Sequence, residues 1–401
     1  MAQILIVADD LSGAADCGIA CAVQGLDTLV VLEEASVDAE VLAVDANTRA
    51  MAPNEAAVET ARLVHKYARE GQQVLFKKFD STLRGHIGVE LAAALEAWRS
   101  AVNRSSAIVV VAPAFPSTGR TTIGGRQWLD GVQLEPDLSD ILETAGLQTS
   151  RVGLEVVRSG RLPVFLQTNG EAATAFVCDA ETEADLRSIG EAAASLRDRA
   201  VWAGSAGLAR CLPPALNVPA KRPRAAEPPD RKGPVLVVVG SLAPLSRRQA
   251  AVLAATNKLA VVTVRPQGLL AGPGAQEWLQ DQDLVVRALA DGRDVLTVLG
   301  AEERVQGDMA SHLCSALASI LAPCRAAIAA LVLTGGETAR AVLRAFGARF
   351  LVPMSEVEPG VPLALASTEN GERLPVITKA GAFGDADSLV RCRAALRNLL
   401  R

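Results

Sequence analysis

The 401-residue sequence predicts an α/β protein of two domains, each a mainly parallel sheet layered with helices. Three observations carry that expectation. Short β-branched runs alternate with Ala- and Leu-rich helical patterns along nearly the whole chain, the order that builds parallel sheets through helical crossovers. Half of the residues are apolar and 21% are charged, which supplies a sizeable core and argues against disorder. Seven of the 20 prolines fall between Pro213 and Pro234, interleaved with charges such as Lys221, Arg222, Glu227 and Asp230 and without apolar periodicity. That stretch reads as a linker at 213–233 between a domain at 1–212 and a domain at 234–401, in keeping with roughly 150 residues per domain.

In chain order, the run ILIVA predicts a strand at 4–8, closed by the acid pair Asp9-Asp10. Further β-branched runs predict strands at 28–32, 41–45, 74–77, 108–112 and 200–203 in the first domain, and at 236–239, 260–264, 294–299 and 330–334 in the second. Between them, helical spacing of Ala and Leu predicts helices at 54–70, 90–101, 183–196, 247–255 and 338–346. Ser246 and Gln249 have the spacing of a capping box for the helix at 247, which makes Ser246 structural.

Several function classes are disfavoured. A net charge of −5 with 3% aromatic residues supplies neither the basic face nor the stacking platforms of a nucleic-acid binder. Mean hydropathy is +0.24, yet the apolar runs stop short of the roughly 18 residues of a membrane span. The N-terminus meets acid by Asp9 without a basic region before it, so it reads as a first strand rather than a signal peptide. The seven cysteines include no C-x-x-C pair; Cys17 and Cys21 read as small core residues on one helical face, and the expected compartment is the reducing cytoplasm. There is no G-x-x-x-x-G-K-[ST] and no strand-borne G-x-G-x-x-G. Only three histidines occur, and Ala203-Gly204-Ser205-Ala206-Gly207 begins with Ala, so a Ser-His-Asp hydrolase is disfavoured.

Open α/β sheets bind ligands at the carboxyl ends of their strands, so polar residues just after a strand are the informative ones. After the first strand come Asp9, Asp10, Ser12 and Gly13; one acid suffices to cap a helix, and the second points to function at Asp10. After the third comes Asn47-Thr48-Arg49, whose guanidinium is a fork suited to an anion. The segment Lys77-Lys78-Phe79-Asp80-Ser81-Thr82-Leu83-Arg84-Gly85-His86 is denser in polar function than a connection needs. A fourth junction, 113–125, carries Arg120 among glycines and reads as a wall of the same site. Cations with acids and hydroxyls suit a small, anionic, polyhydroxylated ligand such as a sugar acid. In the second domain, Gly240-Ser241 ends a strand, while Gly335-Gly336-Glu337-Thr338 lies between a strand and a helix expected from Ala339, where free N–H groups form an anion site. Lys379-Ala380-Gly381-Ala382-Phe383-Gly384 offers another close-approach backbone.

The segments ADDLSGAAD (8–16), ANTR (46–49), KKFDSTLRGHIGVEL (77–91), APAFPSTGRTT (112–122), AGSAGLA (203–209), VGSLAPLSRRQ (239–249), GGET (335–338) and KAGAFG (379–384) together resemble the four-carbon acid sugar kinase family, in family order and across nearly the whole chain. The resemblance implies an N-terminal domain for the acid sugar and a C-terminal domain for ATP. It places acid-sugar positions on Asp10, Arg49 and Lys78-Phe79-Asp80-Ser81, and nucleotide positions on Ser241, Gly335 to Thr338 and Gly381. Ala243 and Ala382 stand where the family often has a polar residue.

The sequence therefore reads as a kinase transferring a phosphoryl group from ATP, with Mg2+, to the 4-hydroxyl of a four-carbon acid sugar. D-threonate leads; 3-oxo-tetronate or another tetronate isomer is the alternative, and a sugar-acid sensor the non-enzymatic one. Arg84 and Arg120 join the substrate residues. Asp80 and Asp10 are the candidate bases, Asp80 favoured by Lys78, Ser81 and Arg84 around it. The metal ligands are left unassigned, and a homo-oligomer stays open.

Overall fold

The computed structural model describes residues 3–35, 37–69, 72, 74–170, 172–216, 229, 231–300 and 307–401. The chain forms two compact units, one of residues 1–30 and 36–224, the other of residues 31–35 and 225–401.

In the first unit the chain runs β1 (Ile4–Ala8), α1 (Leu11–Ala22), β2 (Thr28–Val31), β3 (Val41–Asp45), α2 (Pro53–Tyr67), β4 (Val74–Lys78), α3 (Ile87–Ala101), β5 (Ile108–Ala112), β6 (Arg120–Ile123), β7 (Arg126–Leu129), β8 (Val132–Gln133), α4 (Leu138–Thr144), β9 (Thr149–Val152), α5 (Leu154–Val157), α6 (Leu162–Asn169), β10 (Ala175–Cys178), α7 (Glu183–Ser195), β11 (Ala200–Gly204), α8 (Ala206–Ala209) and α9 (Leu212–Leu216). Its sheet has the order β2-β3-β1-β4-β11-β5-β10-β9, parallel from β3 to β9. Every residue of β1, β3, β4 and β5 is buried, because helices cover both faces of such a sheet; the unbroken apolar runs follow from that. A separate antiparallel sheet, β6-β7-β8, rises from the segment after β5. The expected wall at 113–125 is thus half a hairpin.

The second unit runs β12 (Val235–Val239), α10 (Pro244–Ala255), β13 (Ala260–Val264), α11 (Pro266–Ala271), α12 (Gln276–Ala290), β14 (Val295–Leu299), α13 (Gly307–Leu321), β15 (Ala330–Thr334), α14 (Gly336–Ala345), β16 (Ala348–Glu358), β17 (Val361–Thr368), β18 (Arg373–Lys379) and α15 (Ser388–Leu399). The order is β13-β14-β12-β15-β18-β17-β16, parallel from β13 to β18 and antiparallel through β17 and β16. Strands β12 and β15 and helix α15 share one apolar core, with Val237, Val332, Leu389 and Leu396 fully buried.

Three expectations are corrected. The helix after Gly335 begins at Gly336, not Ala339, which puts Glu337 and Thr338 in its first turn. Helix α10 begins at Pro244 with Ala243 as its N-cap, so Ser246 and Gln249 lie inside the helix and form no capping box. Helix α9 carries regular structure past Pro213 and Pro214, into the stretch read as linker; residues 217–228 and 230 of that stretch, and residue 70 of the helix expected at 54–70, lie outside the described residues.

Candidate functional site

In the first unit, register aligns the strand ends. Ala8 pairs with Asp45 and with Lys78, and Gly204 pairs with Lys78 and with Ala112. The loops after β1, β3, β4, β5 and β11 therefore leave from one carboxyl edge, where an open parallel sheet places its ligand.

Asp10 caps α1, its Oδ1 accepting from the Gly13 N–H at 2.8 Å. Its other oxygen accepts from Arg49 Nη1 at 2.9 Å. Arg49 Nε and Nη2 both donate to Asp9 Oδ2, at 2.8 and 2.7 Å. Arg49, expected to face an anion, is thus a fork that fixes the acid pair, and the adjacent carboxylates coexist because it lies between them. Asp9, the member of the acid pair to which the sequence assigns no role, is almost fully buried, and its Oδ1 has no hydrogen-bond partner among the described residues.

Lys78 is buried and donates from Nζ to the Phe79 carbonyl at 2.8 Å. Burial opposes its charge, but Asp9 and then Asp10 outweigh it, so its pKa lies above the ordinary lysine value. The Phe79 side chain is buried, and its carbonyl is what it gives the site. Asp80 accepts from the Thr82 N–H at 3.1 Å and the Thr82 hydroxyl at 3.0 Å, and from Arg84 Nε. Burial raises its pKa, but Arg49, Arg84 and Lys78 prevail and bring it down to about 2. Arg120 is buried, donates to the Thr118 carbonyl at 2.7 Å, and is held below the ordinary arginine value by burial, against the pull of Asp80.

The structure thus brings Asp10, Arg49, Lys78, Asp80, Ser81, Arg84 and Arg120 to one edge. Arg49, Lys78, Arg84 and Arg120 gather there with Asp9, Asp10 and Asp80, and Asp130 and Asp16 also act on Arg120. Two buried arrangements hold the loops. Gln127 of β7 donates to the Ser81 carbonyl at 3.1 Å and accepts from the Thr122 hydroxyl at 2.8 Å. Glu90 of α3 pairs with Lys77 at 2.8 Å and accepts from the Thr48 hydroxyl at 2.8 Å, tying the loop that carries Arg49 to the strand that carries Lys78. Gln127 lies 46 positions from Ser81 and Glu90 lies 42 from Thr48, separations that no local pattern announces.

In the second unit, Val239 pairs with Thr334 and Thr334 with Lys379, so Gly240-Ser241, Gly335-Gly336 and Ala380-Gly381 follow three adjacent parallel strands. Gly335 caps α14 at φ 98°, a conformation that favours glycine, and donates its N–H to the Lys379 carbonyl at 2.9 Å. A Cβ on Gly335 would stand 3.4 Å from Ser241 Cβ and 3.6 Å from Thr338 Oγ1; one on Gly381 would meet Ser241 Oγ at 2.2 Å. Ser241, Gly335, Thr338 and Gly381 therefore converge, and the first-turn N–H groups of α14, beside Glu337, lack partners within the helix. Ser246 caps nothing and instead donates to the Gly381 carbonyl at 2.8 Å. Lys379 donates to the carbonyls of Ala380 and Phe383 at 2.9 and 3.0 Å, and burial pushes its pKa down to about 8. Among the described residues no group of three or more His, Cys, Asp or Glu side chains is placed to hold a metal ion, and no helix is long and apolar enough to cross a membrane.

Residues 4–212 match a domain family described as "Sugar-binding N-terminal domain" and residues 236–389 one described as "Nucleotide-binding C-terminal domain". Over its length the chain is 39% identical to a D-threonate kinase of Cupriavidus necator, covering 96% of each chain. It is 33% identical to a D-threonate kinase of Bordetella bronchiseptica, over 98% of this chain and 97% of that one. A 3-oxo-tetronate kinase of Burkholderia multivorans is 27% identical over 97% and 96%. A solved structure from Salmonella typhimurium superposes with a TM-score of 0.78 at 21% identity, over 98% of this chain and 99% of its own, which shows the fold.

Proposed function

The chain belongs to the four-carbon acid sugar kinase family, and from that premise we propose that it phosphorylates the 4-hydroxyl of D-threonate with ATP and Mg2+. The acid sugar binds the N-terminal domain, residues 1–212, and ATP the C-terminal domain, residues 234–401. Relatives named D-threonate kinases match at 30–39% identity and those named 3-oxo-tetronate kinases at 27–29%, which favours D-threonate over the oxo acid. The single observation that carries the chemistry is the gathering of Arg49, Arg84 and Lys78 around Asp80.

Arg49 is engaged by Asp9 and Asp10, so the substrate carboxylate goes to Arg84, which is 65% exposed in its side chain and, among the described residues, tied only through Nε, with Arg120 beside it. Asp10, Ser81 and Lys78 meet the hydroxyls. The 4-hydroxyl oxygen attacks the γ-phosphorus as the bond to the ADP oxygen breaks, and its proton passes to Asp80. A carboxylate with so low a pKa is a weak base, but the hydroxyl becomes acidic as its bond to phosphorus forms, so a fixed, ionised acceptor suffices. In the second unit, the turn of Gly335, Gly336, Glu337 and Thr338 with Ser241 and Gly381 supplies backbone N–H groups to the phosphates. All seven cysteines are free thiols, which suits the cytoplasm where we place the enzyme.

ADP release in a coupled assay, measured across D-threonate, L-threonate, D-erythronate and 3-oxo-tetronate, tests the proposal. The highest kcat/KM is expected for D-threonate. A higher value for the oxo acid would replace the substrate, and binding of the acids without any ADP release would make the chain a sensor.

A further inference from the structure

We propose that Lys379 is a positioning residue of the nucleotide site, a buried ammonium that turns the backbone of the 380–384 loop so that its N–H groups face the phosphates of ATP. The inference rests on the nucleotide reading of the second unit and deepens it.

Lys379 ends β18 with only 1% of its surface exposed, an unusual place for a lysine that makes no direct ion pair among the described residues. Its Nζ donates to the carbonyls of Ala380 and Phe383 at 2.9 and 3.0 Å. Two residues of α10 pull on the same loop from within: Ser246 Oγ donates to the Gly381 carbonyl at 2.8 Å and Gln249 Nε2 to the Phe383 carbonyl at 3.0 Å. In a planar trans peptide the C=O of one residue and the N–H of the next point in opposite directions. Drawing in the carbonyls of Ala380 and Gly381 therefore turns out the N–H groups of Gly381 and Ala382. Neither N–H has an acceptor among the described residues. Two successive outward N–H groups form a concavity for an anion, and they stand next to Gly335, whose own N–H is anchored on the Lys379 carbonyl at 2.9 Å. One residue thus ties both glycine turns, by its side chain on one side and its backbone on the other. The loop works through its main chain, which accounts for Ala382 serving where a polar side chain might be sought.

Lys379 is also poised to titrate. Burial lowers its pKa to about 8, against the pull of the Glu358 carboxylate. The charged groups around it come from three elements: Glu358 on β16, Arg391 on α15, which pairs with Glu358, and Asp385 after the loop, which pairs with Arg391 at 2.8 Å. Cys392 on α15 is pushed up to about 12 by burial and stays neutral over the range of interest. Loss of the Lys379 proton removes the charge that strengthens both carbonyl bonds, so ATP affinity falls as pH rises through about 8.

Calorimetry of ATP binding to the full chain and to Lys379→Met, from pH 7 to 9.5, tests this. The wild type should bind ATP at pH 7 and lose affinity above about pH 8. Lys379→Met should bind about tenfold more weakly at pH 7, the scale of losing one charge-assisted hydrogen bond, with no further change up to pH 9.5 and the KM for the acid sugar within about twofold of wild type. A folded Lys379→Met protein with wild-type ATP affinity overturns the proposal. Should that variant not fold, the wild-type profile decides alone, and flat ATP affinity over the same pH range overturns it. A wild type that binds the acid sugar but no ATP at pH 7 overturns the nucleotide reading and this inference together.

Discussion

Asp80 illustrates how one carboxylate can serve stability and chemistry in different pH ranges. Its folded pKa of about 2 lies below the roughly 3.9 of an unfolded aspartate. A depressed carboxylate contributes stability that is fully present above the unfolded value and is lost as pH falls through the folded one. The contribution is on the order of 2 kcal/mol, with the window of loss between about pH 4 and 2. Asp80→Asn should therefore lower Tm at neutral pH and flatten its fall across that window, while kcat drops about 10²–10⁴-fold with ATP affinity unchanged. Near-normal kcat in Asp80→Asn, with turnover abolished in Asp10→Asn, would transfer the proton to Asp10. Arg49 yields a different expectation, because three of its N–H groups are spent on Asp9 and Asp10. Removing the cation leaves a buried carboxylate unpaired, which costs about 3 kcal/mol or more. Arg49→Ala should thus lose stability in denaturant titration as well as raise the KM for the acid sugar; a raised KM at unchanged stability would return Arg49 to direct contact with substrate.

At the level of elements, legibility follows burial. Strands such as β1 and β5 are covered on both faces and read as continuous apolar runs, so the sequence locates them without ambiguity. Strand β16 pairs with β17 through three register shifts and carries Pro353, which breaks the alternation that would have exposed it. The β6-β7-β8 sheet is short and polar and reads as loop. The candidate site is legible for a related reason: polar residues directly after an apolar strand declare themselves, as Asp10, Arg49, Lys78 and Gly335 do. Residues that act by reaching across the fold do not. Glu90, Gln127 and Lys379 each take their meaning from a carbonyl or hydroxyl that the local pattern cannot name. In the turn into α14 the residue at positive φ is Gly335, not Gly336. Gly335→Val should therefore combine backbone strain with crowding of Ser241 and Thr338, and ATP affinity should fall tenfold or more, the scale of one or two lost phosphate hydrogen bonds. Calorimetry on the folded variant checks this, and normal ATP binding would remove the turn from the nucleotide site.

For the whole molecule, the division into units is not a single cut in the chain. The second unit includes residues 31–35, nearly two hundred positions before the proline-rich stretch. Those residues are built into it: the N–H groups of Leu32 and Glu33 donate to the Arg349 carbonyl at 2.9 and 3.1 Å, Arg349 Nη2 donates to the Glu34 carbonyl at 3.0 Å, and Arg344 pairs with Glu33 at 3.1 Å. Composition and periodicity mark the proline-rich boundary clearly but carry no sign of this excursion, because five residues following a strand look the same whichever sheet they join. The consequence concerns autonomy. A fragment of residues 225–401 keeps Ser241, Gly335 and Gly381, so it retains the proposed nucleotide residues, yet β16 loses the backbone partner that covers its edge. An uncovered edge strand invites pairing with another copy. The isolated fragment should therefore self-associate in light scattering, and a peptide of residues 28–35 added in trans should suppress that association and raise Tm by about 2–4 °C, the shift that follows from about 1 kcal/mol in a domain of this size. A monomeric fragment that ignores the peptide would show that residues 31–35 are carried by the second unit without supporting it.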